Sequence, residues 1–352
     1  MSWLIYGANG YTGELVAREA QRRGLSPILA GRNAEAVKRL ARELGLQSRS
    51  FSLDDPQGTA AELYGVKAVL HCAGPFLHTS APMVAACLAT RAHYLDITGE
   101  IPVFETILAR GEEARRAGIA LLPGVGFDVV PTDCLAARLA AALPDATELA
   151  LAFYAPGAST SRGTMKTMIE SLPHAGAVRK NGRIVPVPLA WDVREIDFGD
   201  RAGRRWAMTI AWGDVSTAYH STGIPNIRVY SATPPAMIRR LKRLAFLLPL
   251  AGWKPVKRFA RRWVERRVTG PSQEQRESGR MYLWGEARNA AGRTVTATLE
   301  TPEGYRFTAL SAVEIAERVL AGRVQPGAWT PSRAFGADFV TELPEVAATL
   351  PR

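Results

Sequence analysis

Glycines recur at positions 7, 10 and 13 in Gly7-Ala8-Asn9-Gly10-Tyr11-Thr12-Gly13, directly after an apolar run at 3–6 and before a helical pattern at 14–23. Strand, glycine turn and helix in that order suit a dinucleotide. Gly7 permits a tight turn, Gly10 lets a diphosphate approach the backbone, and Gly13 lets helix and strand pack closely. The helix start then offers unpaired N–H groups and a partial positive charge. The spacing is GxxGxxG, so the match is to the mechanism more than to the strict GxGxxG fingerprint. Where an acid would hold a ribose 2′-hydroxyl, the second apolar run instead ends in Ala30-Gly31-Arg32-Asn33. A guanidinium there suits a 2′-phosphate by about 1.5–3 kcal/mol, so NADP(H) is expected over NAD(H). Cys72-Ala73-Gly74-Pro75-Phe76 closes the fourth run with small residues that permit close backbone approach, and Asn33 and Asp54 are further candidate cofactor neighbours.

The segment 93–100 supplies a phenol, two acids and a hydroxyl at the same expected sheet edge. Tyr94 is a candidate hydrogen-bond donor or acid, together with Lys166 in Ser161-Arg162-Gly163-Thr164-Met165-Lys166. Asp96, Glu100, Phe127, Asp128 and Thr164 are candidate substrate-side residues. Each of these polar groups has a plainer alternative, capping a helix or pairing with a neighbouring charge. Other chemistries lack their residues. No Tyr-x-x-x-Lys pair, HExxH, GxSxG or phosphate-loop motif occurs, and the five histidines are scattered, so no metal site is expected.

These groups must be positioned by the elements around them. Apolar runs at 3–6, 27–30, 50–53, 68–72, 93–97 and 119–123 alternate with helical patterns, which predicts an α/β unit with a doubly wound parallel sheet over 1–130. After an Ala-rich helix at 131–143, longer strand-like stretches follow at 148–155, 206–216, 226–232, 280–289 and 294–301. They predict a second α+β domain over 131–322 with a mixed or antiparallel sheet, with a hairpin turn at Ala290-Ala291-Gly292-Arg293. A last helix at 311–321 stops at Gly322, and the tail 323–352 is expected to return to the first domain.

The 352 residues carry a net charge of +11, and between Met237 and Val268 stand eleven Lys or Arg against the single acid Glu265. The basic excess is therefore one local feature and implies a local partner. At helical spacing Val256, Phe259, Ala260, Trp263, Val264 and Val268 share one face, and Met237, Leu241, Leu244, Ala245 and Leu248 trace another, joined by a short apolar linker. Two readings stand: both faces pack on the protein with solvated arginines, or they dock anionic lipid or an acidic acyl-carrying partner. Nucleic acid is not supported, since no recognised motif occurs and the aromatics do not alternate with the basic residues. Cys72, Cys87 and Cys134 form no CxxC, no run of eighteen apolar residues occurs, and Arg18 is the first basic residue. A cytoplasmic chain with reduced thiols is expected, peripheral to a membrane if the basic segment docks there.

GANGYTG at 7–13, AGR at 30–32, AGPF at 73–76, HYLDITGE at 93–100 and GVGFDVVPTD at 124–133 together resemble the saccharopine dehydrogenase-like oxidoreductases. GPSQEQRESGRMYLWGEARNAAGR at 270–293, TPEGYRFTALSAVEIAERVLAG at 301–322 and TPSRAFGADF at 330–339 look most like the trans-acting enoyl reductases of that group. The resemblance implies a Rossmann-type domain that binds NADPH and a second domain that shapes the substrate site and can mediate a homodimer. It implies hydride transfer to the β-carbon of an enoyl thioester of a lipid or polyketide intermediate. Two alternatives stand beside this one. One is reduction of an imine formed from an amino acid, for which several arginines would face the cofactor; the other is a non-enzymatic, NADPH-binding adaptor on a lipid surface.

Overall fold

A computed structural model describes residues 2–351 except 158, 172–175 and 248–252. The chain divides into two compact units, one of residues 1–128 and 305–334, the other of residues 129–304 and 335–352.

The first unit is a parallel sheet. Its strands are β1 (Trp3–Tyr6), β2 (Ile28–Gly31), β3 (Ser48–Ser50), β4 (Ala68–His71), β5 (His93–Asp96) and β6 (Ala120–Leu122). They run in the order β6-β5-β4-β1-β2-β3, and Gly327–Ala328 adds a parallel edge strand beside β6. β1, β2 and β4 are buried at every position, as strands covered on both faces must be. The intervening helices include α1 (Tyr11–Arg22), α2 (Ala34–Leu44), α3 (Pro56–Glu62), α4 (Phe76–Thr90), α5 (Ile101–Leu108) and α6 (Gly111–Ala117). Strand order reverses between β1 and β4, so the loops leaving their carboxyl ends flank a crevice of the kind that takes nucleotides.

Among the described residues the second unit holds a nine-stranded mixed sheet. Its centre is Ala146–Tyr154, parallel to Asn226–Ala232 on one side and antiparallel to Arg280–Asn289 on the other. Arg280–Asn289 and Thr294–Pro302 form the expected hairpin, with Gly292 at φ +85°. The helix Val130–Ala142 packs on this sheet so closely that a Cβ on Gly285 would lie 2.6 Å from Leu139 Cδ1.

Three expectations are corrected. The stretch 206–216 is not one strand: Arg204–Thr209 ends, and Asp214–Thr222 is a helix that buries Val215 and Ala218. The last helix begins at Gly304, and residues 305–322 belong to the first unit instead of the second. There Thr308 Oγ1 accepts from Phe127 N, Ser311 Oγ donates to Val125 O, and Arg23 pairs with Glu314 and Glu317. The tail is shared, since Gly327–Ala328 joins the first sheet while Ala347–Ala348 pairs with Thr294–Pro302 in the second. The third correction concerns the helix Lys254–Arg267, whose apolar stripe is split. Val264 is buried, whereas Val256, Phe259 and Trp263 are exposed. Leu248 and most of the expected linker lie outside the described residues. Among the described residues no helix is long and apolar enough to cross a membrane.

Candidate functional site

The 7–13 loop is built from backbone. Gly7 adopts φ +81°, and the N–H groups of Gly7 and Ala8 both donate to Ala30 O, at 2.8 and 3.0 Å. Gly10 N closes back on Gly7 O at 2.9 Å. Side chains are excluded by contact: a Cβ on Gly13 would sit 2.2 Å from Gly7 O, and one on Gly7 would sit 2.9 Å from Ala73 N and Cβ. The loops after β1 and β4 therefore touch, and only small residues permit it. Gly10 is the N-cap of α1 in extended conformation, with no side-chain cap. Gly10 has no side chain to cap the first turn of α1, and the helix dipole points toward this loop. This cradle fits a diphosphate. Ala8 is buried, Asn9 is exposed with its Oδ1 beside Gly31, and Tyr11 lies edge-on to Tyr305, ring centroids 5.0 Å apart.

Arg32 follows β2 and is exposed, and its guanidinium makes no hydrogen bond or ion pair among the described residues. Arg32 and Asp54 both act electrostatically on the Tyr6 phenol, which places them at the same end of the sheet; burial pushes that phenol up to about 12. Asn33 serves a structural end, capping α2 by accepting from Ala36 N at 3.1 Å. Asp54 accepts from Ser52 Oγ at 2.6 Å.

The 72–76 loop is held from both sides. Cys72 N donates to Tyr6 O, and the Glu100 carboxylate accepts from Phe76 N and Leu77 N, both at 2.8 Å. Glu100 thereby caps α4. Thr79 Oγ1 donates to Ala73 O at 2.6 Å, so His71 Nε2, 3.0 Å from that hydroxyl, carries the hydrogen. Burial lowers His71 to about 3, so it stays neutral as a fixed prop of the loop. Sequence reasoning missed His71, whose only signal was its place at the carboxyl end of β4.

Asp96 is fully buried and accepts from Tyr94 Oη at 2.7 Å, Thr98 N at 3.0 Å and Gly124 N at 2.9 Å. It ties the ends of β5 and β6, and desolvation outweighs these bonds to push its carboxyl up to about 6. Asp128 lies beside Gly99, where an added Cβ would be 2.6 Å from its Oδ2. Burial first and the Glu100 charge second push it up to about 7, so this half-buried carboxyl is protonated in part near neutral pH.

One of the remaining candidates, Tyr94, does not serve as expected. Tyr94 is fully buried in β5, its phenol is held by Asp96, and desolvation raises it far above the usual range, so it is a core residue and not an acid that meets substrate. Phe127 is 8% exposed and packs edge-on against Phe307. Lys166 lies, as expected, in the second unit, on the helix Arg162–Ser171, and pairs with Glu265 at 2.9 Å. Thr164, in that helix's first turn, has its N–H on Ser161 Oγ and serves the helix start. Among the described residues no group of three His, Cys, Asp or Glu could hold a metal ion.

Residues 3–122 match the family model of the saccharopine dehydrogenase NADP binding domain. The first unit is accordingly an NADP-binding domain. Along the chain the similarity continues. A saccharopine dehydrogenase-like oxidoreductase of Homo sapiens is 26% identical over 234 residues, 58% of this chain and 53% of that protein, so the match spans about half the length of that relative. A trans-acting enoyl reductase of Mycobacterium tuberculosis (strain ATCC 25618 / H37Rv) is 25% identical over 397 residues, covering 97% of this chain and 95% of that protein. In fold, the chain is similar to the apo, histidine-tagged saccharopine dehydrogenase (L-Glu forming) from Saccharomyces cerevisiae, with a TM-score of 0.67 at 12% identity over 99% of each chain.

Proposed function

We propose that the chain, whose first unit is a saccharopine dehydrogenase-type NADP-binding domain, is an oxidoreductase that saturates the double bond of an enoyl thioester on a lipid or polyketide intermediate. The observation that carries this reading is the likeness to trans-acting enoyl reductases over 97% of this chain and 95% of theirs. The first unit supports it. The open start of α1 and the 7–13 loop receive the diphosphate, Arg32 receives the 2′-phosphate, and the 72–76 loop borders the remainder. When bound, NADPH supplies the hydride taken up by the β-carbon.

The chain's own groups do the rest. His71 through Thr79, and Glu100 through the N–H groups of Phe76 and Leu77, fix the 72–76 loop against bound cofactor. Asp96 locks the 96–98 and 124 segments, so the edge does not reorganise during reaction. Asp128 holds a proton on its carboxyl because ionisation there is opposed by burial and by Glu100. It donates that proton to the α-carbon, and solvent reprotonates it after turnover.

Absorbance of NADPH, followed with medium- and long-chain enoyl thioesters against cyclic and open imines, tests the proposal. Oxidation with the thioesters alone is expected. Turnover of imines alone, or of neither class, overturns it.

A further inference from the structure

The helix Lys254–Arg267 is tied down along one flank only. Lys257 and Arg261 pair with Glu170, Glu265 with Lys166, Arg162 donates to Val268 O, and Val264 is buried between. At 100° per residue the opposite flank carries Arg258, Arg262 and Arg266 alongside Val256, Phe259 and Trp263. Phe259 is 74% exposed and Trp263 52%. The preceding helix in the chain, Pro235–Leu244, repeats the pattern, burying Ile238 while Met237 and Leu244 stay exposed beside Arg239, Arg240 and Arg243. Phe246 and Trp253 are 74% and 65% exposed. None of these six arginines makes an ion pair among the described residues, and Glu265, the one acid from 237 to 268, is taken by Lys166.

We infer that this face is a docking surface for an anionic lipid bilayer. Charge complementarity selects an anionic occupant, because the segment is strongly basic and its outward arginines have no partner of their own. The rings select a lipid. A folded acidic partner would neutralise the guanidinium groups, but aromatic side chains set among them also need an apolar medium, and only a bilayer offers phosphate and acyl chain at adjoining depths. A face of this kind holds the protein in the interface plane without crossing it.

Flotation of the full chain with vesicles of phosphatidylcholine, alone or mixed with phosphatidylglycerol, tests the inference. Binding to the mixed vesicles and not to phosphatidylcholine alone is expected, weakening as salt is added. The triple substitution Arg258→Glu, Arg262→Glu and Arg266→Glu should lower that binding about a hundredfold or more, and Lys at the same three positions should retain it. Phe259→Ala with Trp263→Ala should lower it about tenfold at unchanged salt dependence. All three sites are exposed or at the rim, and an unchanged thermal midpoint verifies folding; if the Glu variant does not fold, the aromatic pair and the salt series still decide. No binding to mixed vesicles, binding indifferent to charge reversal, or capture by an acidic carrier protein without vesicle binding would each overturn the inference.

Discussion

Gly10→Ala separates a glycine needed by the fold from one needed by a ligand. Gly10 has φ −81° and ψ 164°, a conformation alanine adopts readily, and among the described residues beyond its chain neighbours an added Cβ would meet Gly7 O at 3.1 Å. Restricting the unfolded chain stabilises the variant by about 0.4–1 kcal/mol, while alanine at an N-cap and the slight crowding oppose this by about 0.5 kcal/mol. The two nearly offset, so the thermal midpoint should move by no more than about 2 °C. Bound diphosphate meets the methyl group directly. Loss of one charge-assisted bond to the helix start, about 1.5–3 kcal/mol, weakens NADPH about ten- to a hundredfold. Gly13→Ala is the contrast: its Cβ would lie 2.2 Å from Gly7 O and 2.9 Å from Gly7 C, backbone atoms that cannot yield, so stability itself should fall by about 1–3 kcal/mol. Fluorescence titration with NADPH and thermal melting of both variants measure the two effects. An unchanged NADPH dissociation constant in a well-folded Gly10→Ala protein would refute the placement of the diphosphate.

Arg32→Ala should weaken NADPH about ten- to a hundredfold and leave NADH nearly unchanged, measured by parallel titrations; equal losses would remove the 2′-phosphate contact. Asp128→Asn should lower kcat for enoyl thioesters about a hundredfold or more, since asparagine has no proton to give. In the unaltered protein the rate should fall as pH rises through about 7, where Asp128 loses its proton, and a rate flat across that range would exclude it as the acid. His71 is held near 3 in the folded state against 6.5 when exposed, so the unfolded chain takes up the extra proton on acidification. Stability is therefore lost as pH falls from 6.5 toward 3, by at most about 1.4 kcal/mol per pH unit, and denaturant titrations of His71→Gln should show a shallower acid slope.

The first unit was legible because its signals are local. An apolar run, a glycine turn and a helix start stand within a few residues of one another, and Arg32 follows β2 directly. β3 was misplaced, expected at 50–53 and found at Ser48–Ser50, because an edge strand reading Ser-Arg-Ser has no apolar pattern to mark it. Tyr94 was misread for a different reason. A central parallel strand is buried on both faces, so alternation does not tell a phenol in the core from one at the edge. The network at Asp96 escaped because its donors at Thr98 and Gly124 are backbone N–H groups, invisible in residue type. In the basic helix, arginine and lysine packed toward Glu170 where an apolar face was expected, since their long stems cover surface as hydrocarbon does.

The strand Gly327–Ala328 and the helix Gly304–Leu320 bear on how the nucleotide unit comes into being. During synthesis its first 128 residues emerge with the β6 edge bare and Arg23 lacking Glu314 and Glu317, and almost the whole second unit must follow before these arrive. A gene fragment cut after residue 128 would encode an open-edged sheet prone to sticking to its own copies. This half of the molecule is thus completed only after the ribosome has passed through most of the other.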